Sequence, residues 1–174
     1  MAGQCVFTEI DTPTGKLHLI ANEAALVGIF WQAEDYSSAE LENATRDDRH
    51  PILMRAVEQL NEYFAGKRTA FDLPLDPKGT EFQKKVWMAL RGIPFGQTAS
   101  YGQIAKRIGM PAASRAVGAA NGRNPLPIVV PCHRVIGSNG SLTGFGGGLK
   151  NKSILLRLEG VEHGSRAHGA LPNE

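Results

Sequence analysis

Cysteine is scarce in this chain: Cys5 and Cys132 are the only two among 174 residues. No CxxC pair or paired Cys/His spacing occurs, which argues against a zinc site, and two distant thiols do not make a disulfide framework. No uninterrupted apolar stretch approaches the roughly 20 residues of a membrane-spanning helix. The amino terminus, Met1 to Asp11, lacks a basic segment followed by an apolar run, so a signal peptide is not expected. These absences point to a reduced, cytoplasmic setting away from membranes. The composition that remains is ordinary and globular, at 42% hydrophobic residues, long enough for one good-sized domain or two small ones.

The formal charge of +2 conceals an asymmetry. Residues 1–76 hold six Lys and Arg against thirteen Asp and Glu, whereas residues 77–174 hold thirteen against four. Like charge at this density repels itself unless a partner neutralises it, and the obvious polyanion is nucleic acid. Turn chemistry marks the same boundary, because Leu73-Pro74-Leu75-Asp76-Pro77-Lys78-Gly79 reads as a linker or extended crossing segment. The expected organisation is an acidic α/β scaffold domain over 1–76 and a basic, mainly helical domain over 77–160, with a disordered tail over 161–174.

In the front half, residues 16–20 and 26–31 read as strands joined across Asn22-Glu23. Residues 51–65 read as a helix with Leu53, Val57, Leu60 and Phe64 on one face. No constellation there suggests chemistry, and Cys5 and His18 lack the partners a metal would need.

The back half opens on a capping box, Thr80 with Gln83, ahead of a helix carrying Phe82, Val86 and Leu90 at helical spacing. A second capping box, Ser100 with Gln103, starts a short helix ending near Gly109, and Pro111 starts a third helix. Two short helices across a Gly-containing turn fit a helix-turn-helix, a pattern any small helical hairpin can resemble. The third helix is built from small residues, Ala112, Ala113, Ala116, Gly118, Ala119 and Ala120, around one long cation, Arg115. Small side chains let a backbone approach a groove closely while the Arg projects beyond it. A final helix over about 149–159 stops at Gly160.

Between these helices lies Pro131-Cys132-His133-Arg134-Val135, entered from Ile128-Val129-Val130. The β-branched run reads as a buried strand that Pro131 ends, with Cys132 on the turn beyond it. A thiol is strongly nucleophilic as the thiolate, and a neighbouring His is a common way to lower its pKa from about 8.5. A thiol beside an imidazole serves several chemistries. A thiol hydrolase with Glu159 as third member would use it, and a plain helix-turn-helix regulator would ignore it. Asn124, before Pro125, could couple the third helix to the strand. The run Gly144-Phe145-Gly146-Gly147-Gly148 could bring bare amides against a flat ligand, or be a plain connector.

Taken together, Tyr101-Gly102, Arg115-Ala116-Val117-Gly118, Asn121-Gly122, Asn124-Pro125, the run from Ile128 to Ile136 and Leu158-Glu159-Gly160 resemble the O6-alkylguanine-DNA alkyltransferases, also called methylated-DNA–protein-cysteine methyltransferases. The likeness is strong over about 80–160 and a matter of layout over 1–76. It implies an N-terminal sheet-plus-helix domain and a C-terminal domain with a winged helix-turn-helix-like element. It implies direct-reversal repair of double-stranded DNA, with irreversible transfer of an alkyl group from O6-alkylguanine to Cys132 and O4-alkylthymine as a second candidate substrate. His133 would take the thiol proton through a water, Glu159 would orient the imidazole, and Asn124 would brace the network. Tyr101 would donate to the departing guanine and crowd a backbone phosphate. Arg115 would enter from the minor groove and fill the space of the flipped base, with Ala116 and Gly118 beside it against DNA. Val135, Phe145, Gly146 and Gly147 would line the pocket, the Gly146 amide near O6 and the Cys132 and Val135 carbonyls near the exocyclic amine.

The thioether product is a poor leaving group, so the protein would act once, as a monomer, with cooperative assembly on DNA left open. No metal or organic cofactor is implied. Phe145 stands where the family more often has Tyr, the zinc ligands of some members are unmatched, and Gly146 implies a pocket that takes groups bulkier than methyl. In the family's non-catalytic, lesion-binding relatives another residue replaces the cysteine, so Cys132 argues against that reading.

Overall fold

Leu17, Leu19 and Ile20 have no solvent exposure, and the sheet that buries them is the core of the first half of the molecule. The computed structural model describes residues 4–31, 42–143, 145 and 147–161. It divides into two units, Met1–Lys78 and Gly79–Glu174.

In the first unit, strands β1 (Val6–Thr12), β2 (Gly15–Ala21), β3 (Leu26–Phe30) and β4 (Thr45–Arg46) form one sheet in the order β3-β2-β1-β4. The β1–β2 and β2–β3 pairs are antiparallel, and β4 runs parallel to β1. The expected β2–β3 hairpin is present. Its turn is fixed by the Asn22 side-chain oxygen, which accepts from the amides of Ala24 and Ala25, both at 2.8 Å.

Helix α1 (Pro51–Phe64) buries Leu53, Ala56, Gln59, Leu60 and Tyr63, so Val57 and Phe64 sit at the edge of the expected apolar face. Gln59 uses both ends of its amide on the backbone of Asp72, at 2.8 and 2.9 Å, and so ties the following strap to the helix. The proline-rich segment is extended as expected and is pinned to β3 by hydrogen bonds from Leu26 to Pro74 and from Asp76 to Leu26. His18 pairs with Glu9 at 3.0 Å and stacks on Phe30, which are structural roles.

The second unit contains α2 (Glu81–Leu90), β5 (Ala99–Ser100), α3 (Tyr101–Arg107), α4 (Ser114–Gly122), a 3-10 turn (Cys132–Arg134), β6 (Val135–Ile136) and α5 (Leu149–Leu158). Both capping boxes form as the sequence predicts, each with reciprocal bonds. The Trp87 indole on α2 donates to the Ala120 carbonyl on α4 at 2.8 Å. Gly79 makes room for that ring, since a Cβ there would lie 2.4 Å from it.

Three expectations need correction. The helix expected from Pro111 begins at Ser114, because 110–113 form a turn closed by the Ala113 amide on Met110. Val161 belongs to the core with Ile136 and Leu156 rather than to a tail, and 162–174 lie outside the described residues. The third correction, at residues 128–130, concerns the site itself.

Candidate active site

Ile128-Val129-Val130 is buried but is not a strand. The chain turns back on itself there: the Val130 amide donates to the Leu126 carbonyl at 2.9 Å, and Ile128 has φ of 75°. A β-branched residue in this left-handed region is strained and persists only where its surroundings over-determine it. Burial of Leu126, Ile128, Val129 and Val130 supplies part of that constraint. Asn124 supplies the rest, accepting from the Leu126 amide at 3.0 Å and donating to the Val130 carbonyl at 2.9 Å. Asn124 therefore clamps both ends of the turn that delivers Cys132. Asn124→Ala should leave the buried Leu126 amide unsatisfied, at about 1–3 kcal/mol, while the Val130 carbonyl keeps the Cys132 amide at 2.8 Å, and lower the urea midpoint accordingly.

Cys132 opens the 3-10 turn and is 4% exposed. The thiolate-lowering role expected of His133 is not seen. Burial dominates and pushes the Cys132 thiol up to about 11, opposed by the Asn124 amide, the Lys152 charge and the backbone amides of Cys132 and His133. The resting group is therefore the thiol, and its proton must leave during the reaction.

His133 and Glu159 meet as expected, with Nε2 to Oε2 at 2.7 Å and both side chains fully buried. Arg134 completes the site and was not assigned a role from sequence. Its Nε and Nη2 donate to the two oxygens of Glu159 at 2.8 and 3.0 Å, while Nη1 donates to the Ile93 carbonyl at 2.7 Å. The Gly96 amide adds a fourth donor to Glu159 at 3.3 Å.

A carboxylate at the C-terminal end of α5 is disfavoured by the helix dipole, and the Arg134 fork offsets this. Burial opposes ionisation of Glu159, but its donors outweigh it and hold the carboxyl well below the usual carboxylate range. Burial, aided by Arg134 and Lys152, pushes the His133 pKa down. Neutral His133 must then donate from Nε2 to ionised Glu159, which leaves Nδ1 bare. Among the described residues Nδ1 has no hydrogen-bond partner, a lone pair free to accept a proton.

Lys152, also missed, is fully buried two turns before Glu159 on α5. Its Nζ donates to the carbonyls of Val135 at 2.5 Å and Thr143 at 3.1 Å, and burial lowers its pKa to about 8. The Cys132 carbonyl receives Asn121 Nδ2 at 3.4 Å. Of the two carbonyls expected to read a guanine amine, that of Cys132 thus already accepts from two donors, Asn121 and the Val135 amide, and that of Val135 accepts from Lys152. The signal for Lys152 is its place three and four residues before the apolar Leu155 and Leu156, on a face that Lys150 does not share.

Tyr101, the first residue of α3, pairs its hydroxyl with that of Thr143, and its ring lies 3.6 Å from where a Gly118 Cβ would stand. Phe145 and Gly147 are half-buried, and the Gly147 carbonyl accepts from Asn151 at 3.0 Å. Gly146 lies outside the described residues. Arg115, Ala116 and Ala119 form an exposed strip on α4, removed in role from the buried thiol network. Next to Tyr101, a cleft of about 410 Å³ is lined by Ser100, Gly102, Gln103, Lys106, Ser114 and Ser138. Among the described residues no group of His, Cys, Asp and Glu could hold a metal ion, and no helix is long and apolar enough to cross a membrane.

The family model for the DNA-binding domain of 6-O-methylguanine DNA methyltransferase matches residues 81–161, and that for its ribonuclease-like domain matches residues 5–77. The chain belongs to this family. A methylated-DNA–protein-cysteine methyltransferase of Mycolicibacterium paratuberculosis is 50% identical over 88% of this chain and 91% of its own length. The constitutive enzyme of Bacillus subtilis is 46% identical over 90% of this chain and 96% of its own. The crystal structure of the Mycobacterium tuberculosis relative in complex with DNA superposes with a TM-score of 0.80, at 49% identity, covering 88% of this chain and 91% of that one. The mixed α/β architecture, a sheet unit followed by a helical DNA-binding unit, is that of the family.

Proposed function

We propose that this protein repairs O6-alkylguanine in double-stranded DNA by direct reversal, with Cys132 as the alkyl acceptor, used once. The observation that carries the assignment is a buried thiol immediately before a neutral histidine whose bare Nδ1 is fixed by Glu159 and Arg134. In the reaction the Cys132 sulfur bonds to the alkyl carbon as the carbon–O6 bond breaks, and that bond's electron pair returns to the base. The thiol proton passes through a water to His133 Nδ1, and Tyr101 gives a hydrogen bond to the departing guanine after leaving Thr143. The thioether is a poor leaving group, so the transfer is not reversed.

A base within the stack does not present its alkyl carbon for in-line attack, so the nucleotide must be extruded. The exposed Arg115 on a strip of small residues suits insertion into the duplex, with Ala116 and Gly118 allowing close approach. The cleft beside Tyr101, with its serines and Lys106, suits a backbone phosphate. In this reading the unit beginning at Gly79 binds DNA and carries the acceptor, the acidic unit serves as scaffold, and a single copy suffices for one repair event.

Arg115→Ala should slow transfer from duplex by about tenfold or more, because offsetting the few kcal/mol of unstacking is its task. Reaction with free O6-benzylguanine base should change little. The function itself is tested by titrating the protein into duplex carrying O6-methylguanine and counting restored guanines. The reading requires one repaired base per protein molecule. Continued turnover, or no repair, contradicts it.

A further inference from the structure

We propose that Arg134 is a positioning residue for alkyl transfer: its fork on Glu159 keeps His133 a neutral, Nε2-protonated imidazole whose Nδ1 can accept the thiol proton. The inference rests on the acceptor reading of Cys132 and assigns the base its charge state.

The geometry is that of a closed, buried triad. Arg134 is 6% exposed, His133 is fully buried and Glu159 is 6% exposed, so their charges are poorly screened by water. The guanidinium spans both carboxylate oxygens, at 2.8 and 3.0 Å, and its third contact, to the Ile93 carbonyl at 2.7 Å, fixes the plane of the fork. Phe95 covers it, with the ring centroid 5.8 Å from the guanidinium carbon. Arginine and carboxylate already balance one charge against one. A proton on His133 would add an unmatched positive charge to this buried group. With Arg134 gone, the balance reverses, and Glu159 would draw a proton onto His133 to replace the missing cation. The imidazolium has no lone pair and cannot take the thiol proton.

The charged groups acting on His133 from neighbouring elements are few. Lys152 on α5 reinforces Arg134 in disfavouring the imidazolium, and Glu159 opposes both. Cys132 is a neutral thiol until the reaction begins. Helix α2, which packs on the same turn, offers Val86, Trp87 and Leu90 inward and keeps Glu81, Lys84 and Lys85 exposed.

The test is the pH dependence of single-turnover transfer from O6-methylguanine duplex, together with the nitrogen NMR shifts of His133. In the unsubstituted protein His133 should carry its proton on Nε2, with Nδ1 bare, at pH 7. Arg134→Gln should move the acid limb of the rate profile to higher pH, about tenfold in rate for each unit of displacement, with the rate largely recovered in alkali. Arg134→Lys, which keeps the charge without the fork, should return the limb most of the way.

A loss in Arg134→Gln that is equal at every pH, or a His133 titration that does not move, overturns the inference while leaving the acceptor role of Cys132 intact. If Arg134→Gln does not fold, protonation of Nδ1 at pH 7 in the unsubstituted protein overturns it equally. Failure of the unsubstituted protein to transfer at all overturns the functional reading instead, and the NMR measurement then judges the triad alone.

Discussion

Cys132→Ser is expected to lower alkyl transfer by at least about 10⁴-fold, as loss of the nucleophile does in enzymes that form covalent intermediates. A hydroxyl is a far weaker nucleophile than a thiolate, and the surrounding groups act on a thiol with a pKa near 11, within reach of a coupled proton transfer to His133. Cys5 cannot substitute, since it is buried among Ile20, Val27 and Phe30 in the other unit. DNA affinity should survive, because the exposed face of α4 is untouched. Gel-shift titration with alkylated duplex should therefore give comparable binding while single-turnover repair disappears.

Glu159→Gln should be the most destabilising single change at the site. The carboxylate receives His133, two nitrogens of Arg134 and the Gly96 amide. An amide keeps one oxygen and presents donors to donors, leaving the Arg134 charge buried without its partner. Breaking one side of such a pair costs about 3–5 kcal/mol, measurable by urea unfolding at pH 7.

The pH dependence carries a sign. The folded-state pKa of Glu159 is depressed from the ordinary 4.5, so its stabilisation is fully present above that value. It is lost as pH falls from there towards the folded-state pKa, because the unfolded chain then binds the proton first. The stability difference between the unsubstituted and Gln proteins should narrow on acidification below the usual carboxylate range. A gap unchanged between pH 7 and pH 3 would mean that Glu159 is not held ionised by its partners.

Local signals were the legible part of this fold. Capping boxes at Thr80/Gln83 and Ser100/Gln103 involve residues three apart, and both form as the sequence predicts. The Asn22 turn is local in the same way. Strand β1 escaped notice because its inward residue is Thr8 rather than an apolar one, and β4 is only two residues long. Residues 128–130 have the composition of a strand, yet the Asn124 amide and the burial of their side chains bend them into a turn.

At the site, Cys132 beside His133 is legible from the residues and Glu159 by resemblance, and the meeting of His133 with Glu159 is a property of the fold. Arg134 and Lys152 were not, since long cations ordinarily lie at the surface. Their partners, Ile93, Glu159, Val135 and Thr143, are nine to forty-one positions away. The sequence also suggested that the imidazole lowers the thiol pKa. In the structure the imidazole is turned to Glu159, and its remaining nitrogen is available only as a proton acceptor.

The proposed acceptor of the alkyl carbon is Cys132 itself. A duplex bearing O6-methylguanine with a deuterated methyl group, incubated with an equimolar amount of protein, tests it by peptide mass mapping. One labelled methyl per molecule is expected, on the peptide holding Pro131-Cys132-His133, with guanine restored in the DNA. Label on any other residue, or restored guanine with an unmodified protein, would contradict it.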